Sequence, residues 1–473
     1  MATDGGLGHA AECRGTSNRP ASTPTPPGLP TVEVGDPDVA RRLIVGHADS
    51  FSNHSSAPLA VDLDAGHPRT ESITSAPYGS LWRALRSNLT ANVLHPSRLG
   101  RLVVPAQRGA AEALVTDLRF ATRRGAGAGG VVVAVRDGVY AAVLATVARL
   151  CFGDGVVGER DVRAMRRTLR EFFHSDIDAG LLARLLHWRQ WRYLVSTRRR
   201  LAELFGPVLA ARRRSRRSSG GGISSYVDSL LDLRVPNNDA DADGESPVSR
   251  RALRDDEVVR LVWEFLGSST EAVVACVEWT LARLVTEPEV QKKLHRELTA
   301  ASDQRKGQVS DERLQDLPYL RAVILESLRL HPPLPMIVRE VGPEGAAAAG
   351  APPPPDGTLK RSGGTRWRGR TRPDEFRPER FLPGGEGEDV SPVPGPKEIK
   401  MMPFGARRRH CPGAGLSMLH VGCFVAALVR EFEWAPPADG GDVDLTATNA
   451  LFVKVMPSPL RARITPRTSQ SQS

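Results

Sequence analysis

Cys411 closes the run Met401-Met402-Pro403-Phe404-Gly405-Ala406-Arg407-Arg408-Arg409-His410 and leads into Pro412-Gly413-Ala414-Gly415. Beyond it, Leu416, Leu419, His420, Cys423, Phe424 and Leu428 recur at the spacing of one helical face. Pro412 suits a first helical position, where its missing N–H leaves nothing unsatisfied. The reading puts Cys411 at a helix N-cap, where free backbone N–H groups and the positive end of the dipole lower a thiol's pKa. Thiolate, not thiol, ligates a metal. Three consecutive arginines upstream add positive potential suited to a thiolate or to the carboxylates of a ligand. An ordinary half-buried cysteine is the alternative, since free cysteine is among the most buried residue types.

Other residues sit at useful spacings. Glu326 and Arg329 are three apart on the helix predicted from Tyr319 to Leu330, so they share a face. On a surface such a pair contributes little. Trp82 and Arg86 are four apart and offer an indole N–H and a guanidinium, both donors suited to carboxylate oxygens. The segment Glu264-Phe265-Leu266-Gly267-Ser268-Ser269-Thr270-Glu271-Ala272-Val273 combines small, hydroxyl and acidic residues on a long helix.

These segments together resemble the cytochrome P-450 family. The cysteine run is similar to the haem-thiolate loop Phe-Gly-x-Gly-x-Arg-x-Cys-x-Gly, matched by Phe404, Gly405, Arg409, Cys411 and Gly413, with Arg407 at the second glycine. The resemblance makes Cys411 the iron ligand of haem b, with electron donation that favours O–O cleavage, and pairs Arg409 with a haem propionate. It implies Trp82, Arg86, Arg339, Phe404, Arg409 and Gly413 as haem-binding residues. It makes Glu326, Arg329 and Arg380, the last from Phe376-Arg377-Pro378-Glu379-Arg380-Phe381, a buried structural triad. The segment around Ser268 is similar to the family's oxygen-activation signature Ala-Gly-x-Asp/Glu-Thr. Ser268 and Ser269 replace the first pair, Glu271 keeps the acid and Ala272 replaces the threonine. Glu271 and Thr270 are therefore the catalytic candidates for proton delivery. The segments 226–233, 397–404 and 429–434 look like plant microsomal members, in particular family 89 of the A-type group.

The elements that must position these residues are mainly helical, with a minor β component. Apolar residues at three- and four-residue spacing predict helices over 81–94, 110–120, 140–151, 160–173, 181–210, 255–286, 289–301, 311–314 and 319–330. Alternation at Leu451, Val453 and Val455 predicts a short hairpin within 443–464. Residues 1–35, rich in Gly, Pro, Ser and Thr, and 466–473 are expected to be disordered. The domain spans 36–465, with 341–371 irregular and divergent and a linker at 234–248. Relative to the family, the anchor helix and first β strands expected at the N-terminus are missing.

Composition narrows the function. The 473 residues carry five scattered cysteines and no CxxC or Cys/His cluster, which argues against zinc and against a disulfide framework. No apolar stretch of about 18 residues suggests a membrane span, and no signal peptide is visible. The net charge of +10 allows an acidic partner without establishing one. Arg212-Arg213-Arg214-Ser215-Arg216-Arg217 lacks interleaved aromatics, so a solvated basic loop is expected and no nucleic-acid partner.

By resemblance the chain is a monomeric monooxygenase that inserts one oxygen atom from O₂ into a small apolar substrate. Electrons come from NADPH through NADPH-cytochrome reductase, docked on a basic face at Arg407, Arg408 and Arg409. The resemblance places it at the endoplasmic reticulum membrane, although no anchor is visible and a cytoplasmic location stays open. The alternative is a divergent or truncated member with little or no activity, favoured by Ala272, by Arg407 (strained if its φ is positive, and bulky enough beside the thiolate to exclude haem) and by the two weak regions.

Overall fold

The computed structural model describes residues 31–34, 40–54, 70–124, 130–173, 187–218, 222–237, 249–302, 314, 316–341, 357–362, 372–395, 400–437 and 441–467. Helices dominate: α1 (Ser80–Asn92), α2 (Pro96–Arg124), α3 (Arg136–Phe152), α4 (Glu159–Phe173), α5 (His187–Ser218), α6 (Tyr226–Asp232), α7 (Asp255–Thr286), α8 (Pro288–Ala301), α9 (Pro318–Leu330) and α10 (Ala414–Glu431). The strands are β1 (Thr31–Val34), β2 (Val131–Ala134), β3 (Arg234–Pro236), β4 (Arg250–Ala252), β5 (Met336–Val341), β6 (Gly357–Ser362), β7 (Phe432–Ala435), β8 (Thr448–Ala450), β9 (Val453–Val455) and β10 (Arg461–Pro466).

Helix α7 organises the core. Val258, Leu266, Val277, Leu281 and Leu284 are all but inaccessible, so it is buried almost all round, as a central helix must be. It packs against α3, α9 and α10. Asp255, Asp256 and Glu257 complement the positive end of its dipole, and Glu257 accepts the Arg254 N–H at 2.7 Å. Pro288 opens α8 and Pro318 opens α9, positions where a missing N–H costs nothing. Helix α10 alone among the described helices is long and apolar enough to cross a membrane, yet most of it is buried in this core.

Strand pairing departs from the sequence expectations in several places. β1 pairs in parallel with β6, which pairs antiparallel with β5, in the order β1-β6-β5. Thr31–Val34 is thus a strand within the segment expected to be disordered, and it supplies a first strand thought missing. Gly357–Ser362 is the central strand of that sheet, inside the stretch expected to be irregular. Long-range partners create both, and local composition does not reveal such partners. The remainder of 1–35 and of 342–371, and residues 468–473, lie outside the described residues, as do 311–313 of the short predicted helix. β3 and β4 pair across the expected linker. The tail contains the β8–β9 hairpin, while β10 joins the separate sheet β2-β10-β7 through Pro466, one residue past the expected boundary.

The basic run 212–217 is no loop: it forms the last turns of α5. Arg212 is buried and grips the Asp228 carboxylate, accepted at 2.9 Å from Nε, while Arg213 pairs with Asp255 and Arg216 with Asp232. Carboxylates distant in sequence neutralise much of the cluster.

Candidate active site

The thiol lies on a loop whose backbone takes an unusual path. Gly405 has φ +71° and Arg407 has φ +58°, the left-handed region that favours glycine. The Cys411 N–H donates to the Phe404 carbonyl at 2.7 Å, folding the loop back on itself. Arg407 is exposed, so its cost falls on the backbone rather than on steric exclusion beside the thiol. The helix starts later than its periodicity suggests. Gly413 is the N-cap and Ala414 the first helical residue, so neither Pro412 nor Cys411 holds the expected place. Burial pushes the Cys411 thiol above its ordinary range, and the Gly413 N–H and the Arg86 guanidinium only partly offset it. The lowered thiol expected from an N-cap is therefore corrected: Cys411 lies two residues before the N-cap, and desolvation outweighs the hydrogen bond and the neighbouring charge. A Cβ at Gly413 would meet the Cys411 sulfur at 3.8 Å, an ordinary contact, so space alone does not demand glycine there.

Beside this loop the predicted cationic residues converge. Trp82 is buried on α1, its indole capped by the guanidiniums of Arg409 at 4.7 Å and Arg86 at 6.0 Å. Arg86 Nη2 lies 3.1 Å from His410 Nε2. Arg339 of β5 is buried, with Nη1 3.2 Å from His54 Nδ1. Burial first, then the neighbouring Arg409 charge, pulls Arg339 down to about 10. Arg409 is likewise pulled to about 10 by burial and then by Arg86. Its donors go to the carbonyls of Ser52 at 2.7 Å, Ile73 at 3.0 Å and Ala76 at 2.6 Å. Arg408 pairs with Asp49 and lies over the Tyr78 ring at 4.5 Å.

This charge pattern tests whether haem fits. Arg86, Arg339 and Arg409 are desolvated, yet their hydrogen bonds run to carbonyls and imidazoles rather than carboxylates. The Trp82 indole N–H is buried and has no partner. Two buried cations, a half-buried one and a free donor form a site short of negative charge and acceptors, which the two carboxylates of a haem would supply. Among the described residues no three His, Cys, Asp or Glu cluster to hold a metal. A lone cysteine suits a metal that brings its other ligands with it, as a porphyrin does. The residues present fit the group.

The structural triad is assembled. Glu326 is fully buried and accepts from Arg329 Nε at 2.7 Å, Arg329 Nη2 at 2.9 Å, Arg380 Nε at 3.3 Å and the Arg377 N–H at 2.8 Å. Arg329 also donates to the carbonyls of Pro373 and Glu375, tying α9 to the segment that carries Arg380.

The two catalytic candidates are placed differently. Along α7, Glu264, Ser268 and Ala272 recur every four residues on the open side, with Ser269 half-buried beside them. Thr270 lies roughly 200° around the helix from Ser268; it is fully buried and its hydroxyl is unpartnered. Glu271 is buried and accepts the Tyr140 hydroxyl of α3 at 2.5 Å. Burial pushes its carboxyl up to about 7. Neither side chain belongs to the open face. The Ser268 hydroxyl donates to the Glu264 carbonyl at 2.7 Å, and Ser269 stands three residues, about one turn, before Ala272. Sequence reasoning passed over His54, His410, Tyr140 and Glu264. The last two carry no local signal, since their partners lie over a hundred residues away.

A mainly helical fold in which a loop cysteine lies near desolvated arginines bonded to no carboxylate is suited to a thiolate-ligated haem. The family described as Cytochrome P450 matches residues 25–344 and 371–461. The chain is 32% identical over 450 residues to Cytochrome P450 89A9 of Arabidopsis thaliana, covering 93% of this chain and 84% of the relative. It is 30% identical over 445 residues to trimethyltridecatetraene synthase of Zea mays, covering 89% and 77%. A zebra fish cytochrome P450 solved with abiraterone shares the fold with a TM-score of 0.68 and 20% identity, over 96% of each chain. The chain belongs to the cytochrome P450 family and is a haem-thiolate monooxygenase.

Proposed function

We propose that this oxidoreductase inserts one oxygen atom from O₂ into a small apolar substrate, using electrons from NADPH delivered by NADPH-cytochrome reductase at the endoplasmic reticulum membrane. The observation that carries the haem site is the unpartnered Trp82 N–H within the arginine ring beside Cys411. Cys411 would hold the iron, and Trp82, Arg86, Arg339 and Arg409 the propionates, with Phe404 and Gly413 shaping the thiolate loop. When bound, haem supplies the activation of dioxygen. The protein's own part is positioning and proton supply. Ser269, half-buried beside the open face of α7, would be the hydroxyl to move a proton where Ala272 lacks one. Glu271, whose carboxyl burial raises to about 7, accepts the Tyr140 hydroxyl and would hold a proton on the buried side of α7. An apolar substrate accords with the plant relative named for a tetraene.

Reductase docking on the basic loop narrows to Arg407 and Arg408, because Arg409 is buried and bonded to three carbonyls. A second reading, a member with little activity, is favoured by Ala272 and by the left-handed Arg407. Turnover with isotopically labelled dioxygen, NADPH and purified reductase separates the two. Label in the product of an apolar substrate supports the proposal. A haem-loaded protein that consumes NADPH but incorporates no label from a broad apolar panel overturns it.

A further inference from the structure

The carboxylate of Glu264 is absent from the family motifs, yet it collects three donors from one loop. Oε1 accepts the Thr74 N–H at 2.7 Å and the Ser72 hydroxyl at 3.0 Å, and Oε2 accepts the Ile73 N–H at 3.0 Å. The loop is closed on itself by the Ala76 N–H to Ser72 carbonyl bond at 2.9 Å and by the Ser72 N–H to Ser75 hydroxyl bond at 2.9 Å. Its outward carbonyls are used too. Ile73, whose N–H faces Glu264, presents its carbonyl to Arg409 at 3.0 Å, and Ala76 accepts from the same guanidinium at 2.6 Å. Arg409 stands two residues before Cys411. A continuous chain of hydrogen bonds therefore runs from the open face of α7, through the 72–76 loop, to the thiolate loop.

We propose that Glu264 is a positioning residue: it clamps the 72–76 loop against α7 and, through Ile73, sets the guanidinium of Arg409 and the loop that ends in Cys411. This goes beyond the monooxygenase reading by naming a residue that acts on the thiolate loop without touching it. A glutamine of the same shape cannot reproduce the clamp. It offers one acceptor oxygen, and its amide nitrogen would face a backbone or hydroxyl donor.

Hydrogen–deuterium exchange on the full chain carrying haem compares the wild type with Glu264→Gln and Ser72→Ala. The expected result is exchange at 72–76 at least about tenfold faster in Glu264→Gln, the factor implied by losing one bond to a charged acceptor. A smaller rise is expected in Ser72→Ala, residues 404–411 respond in both, and the core of α9 stays unchanged. In urea, the thiolate-shifted Soret band of the reduced carbon-monoxide complex disappears before global unfolding in Glu264→Gln, and together with it in the wild type. Unaltered exchange at 72–76 or 404–411, a uniform acceleration that includes α9, or coincident loss in both proteins overturns the proposal. If Glu264→Gln does not accumulate folded, Ser72→Ala is judged by the same criteria. A wild type that takes up no haem defeats the monooxygenase reading, while the exchange comparison still judges the clamp.

Discussion

Replacing Arg407 by glycine should stabilise the protein. At φ +58° the Cβ of an L-residue crowds its own backbone, which costs roughly 1–2 kcal/mol. Glycine removes that cost and returns part of the gain through its greater freedom in the unfolded chain, about 0.4–1 kcal/mol. The turn itself is held by neighbours: the His410 N–H donates to the Arg407 carbonyl at 3.0 Å, so glycine inherits the same conformation. Arg407 is exposed, and losing its side chain removes little packing. The net expectation is a gain of up to about 1.6 kcal/mol. Urea unfolding followed by tryptophan fluorescence measures it, with Arg407→Ala as the control. Alanine keeps the positive φ and loses the charge, so it should fall within about 0.5 kcal/mol of the wild type. Glycine no more stable than the wild type, or alanine matching glycine, would refute the backbone argument.

Four further outcomes follow from the same geometry. Glu326→Ala leaves Arg329 and Arg380 buried without their carboxylate and should cost about 3–5 kcal/mol, read as loss of folded yield and of haem uptake. Glu271 binds its proton more tightly folded than unfolded, so its contribution to stability is full below about 4.5 and is lost as pH rises to about 7. Glu271→Gln should flatten the stability-versus-pH curve across that window, measured by thermal unfolding, and an unchanged slope would contradict the assignment. Ala272→Thr should raise the product formed per NADPH consumed, and Ser269→Ala should lower it. Reversing the charge of Arg407 and Arg408 together should weaken reductase-supported turnover most at low salt, whereas no change at any ionic strength would place docking elsewhere.

The sequence was most informative where chemistry is concentrated in a short run. The Cys411 loop, the Glu326–Arg329 spacing and Trp82–Arg86 are local patterns, and the structure brings each set together. Arg380 is legible only through its motif, because 54 residues separate it from Glu326. What depends on direction around a helix was less legible. Thr270 and Glu271 fall in the correct segment of α7 but on its buried sides, since neighbours in sequence are about 100° apart in space. The N-cap lies at Gly413 rather than Cys411, whose N–H is taken by the Phe404 carbonyl in the loop. Strands β1 and β6 exist through each other, and the arginines of α5 are paired by carboxylates on other elements. Glu264 could not be found from its neighbours, because all three of its loop donors lie about 190 residues upstream.

Cys411 as a thiolate ligand to haem is tested most directly by the carbon-monoxide difference spectrum of the reduced protein. The wild type should show the thiolate-shifted Soret band, and Cys411→Ala should lose it while remaining folded by circular dichroism. A folded wild type that takes up no haem, or a thiolate-shifted band that survives in Cys411→Ala, would contradict the central claim.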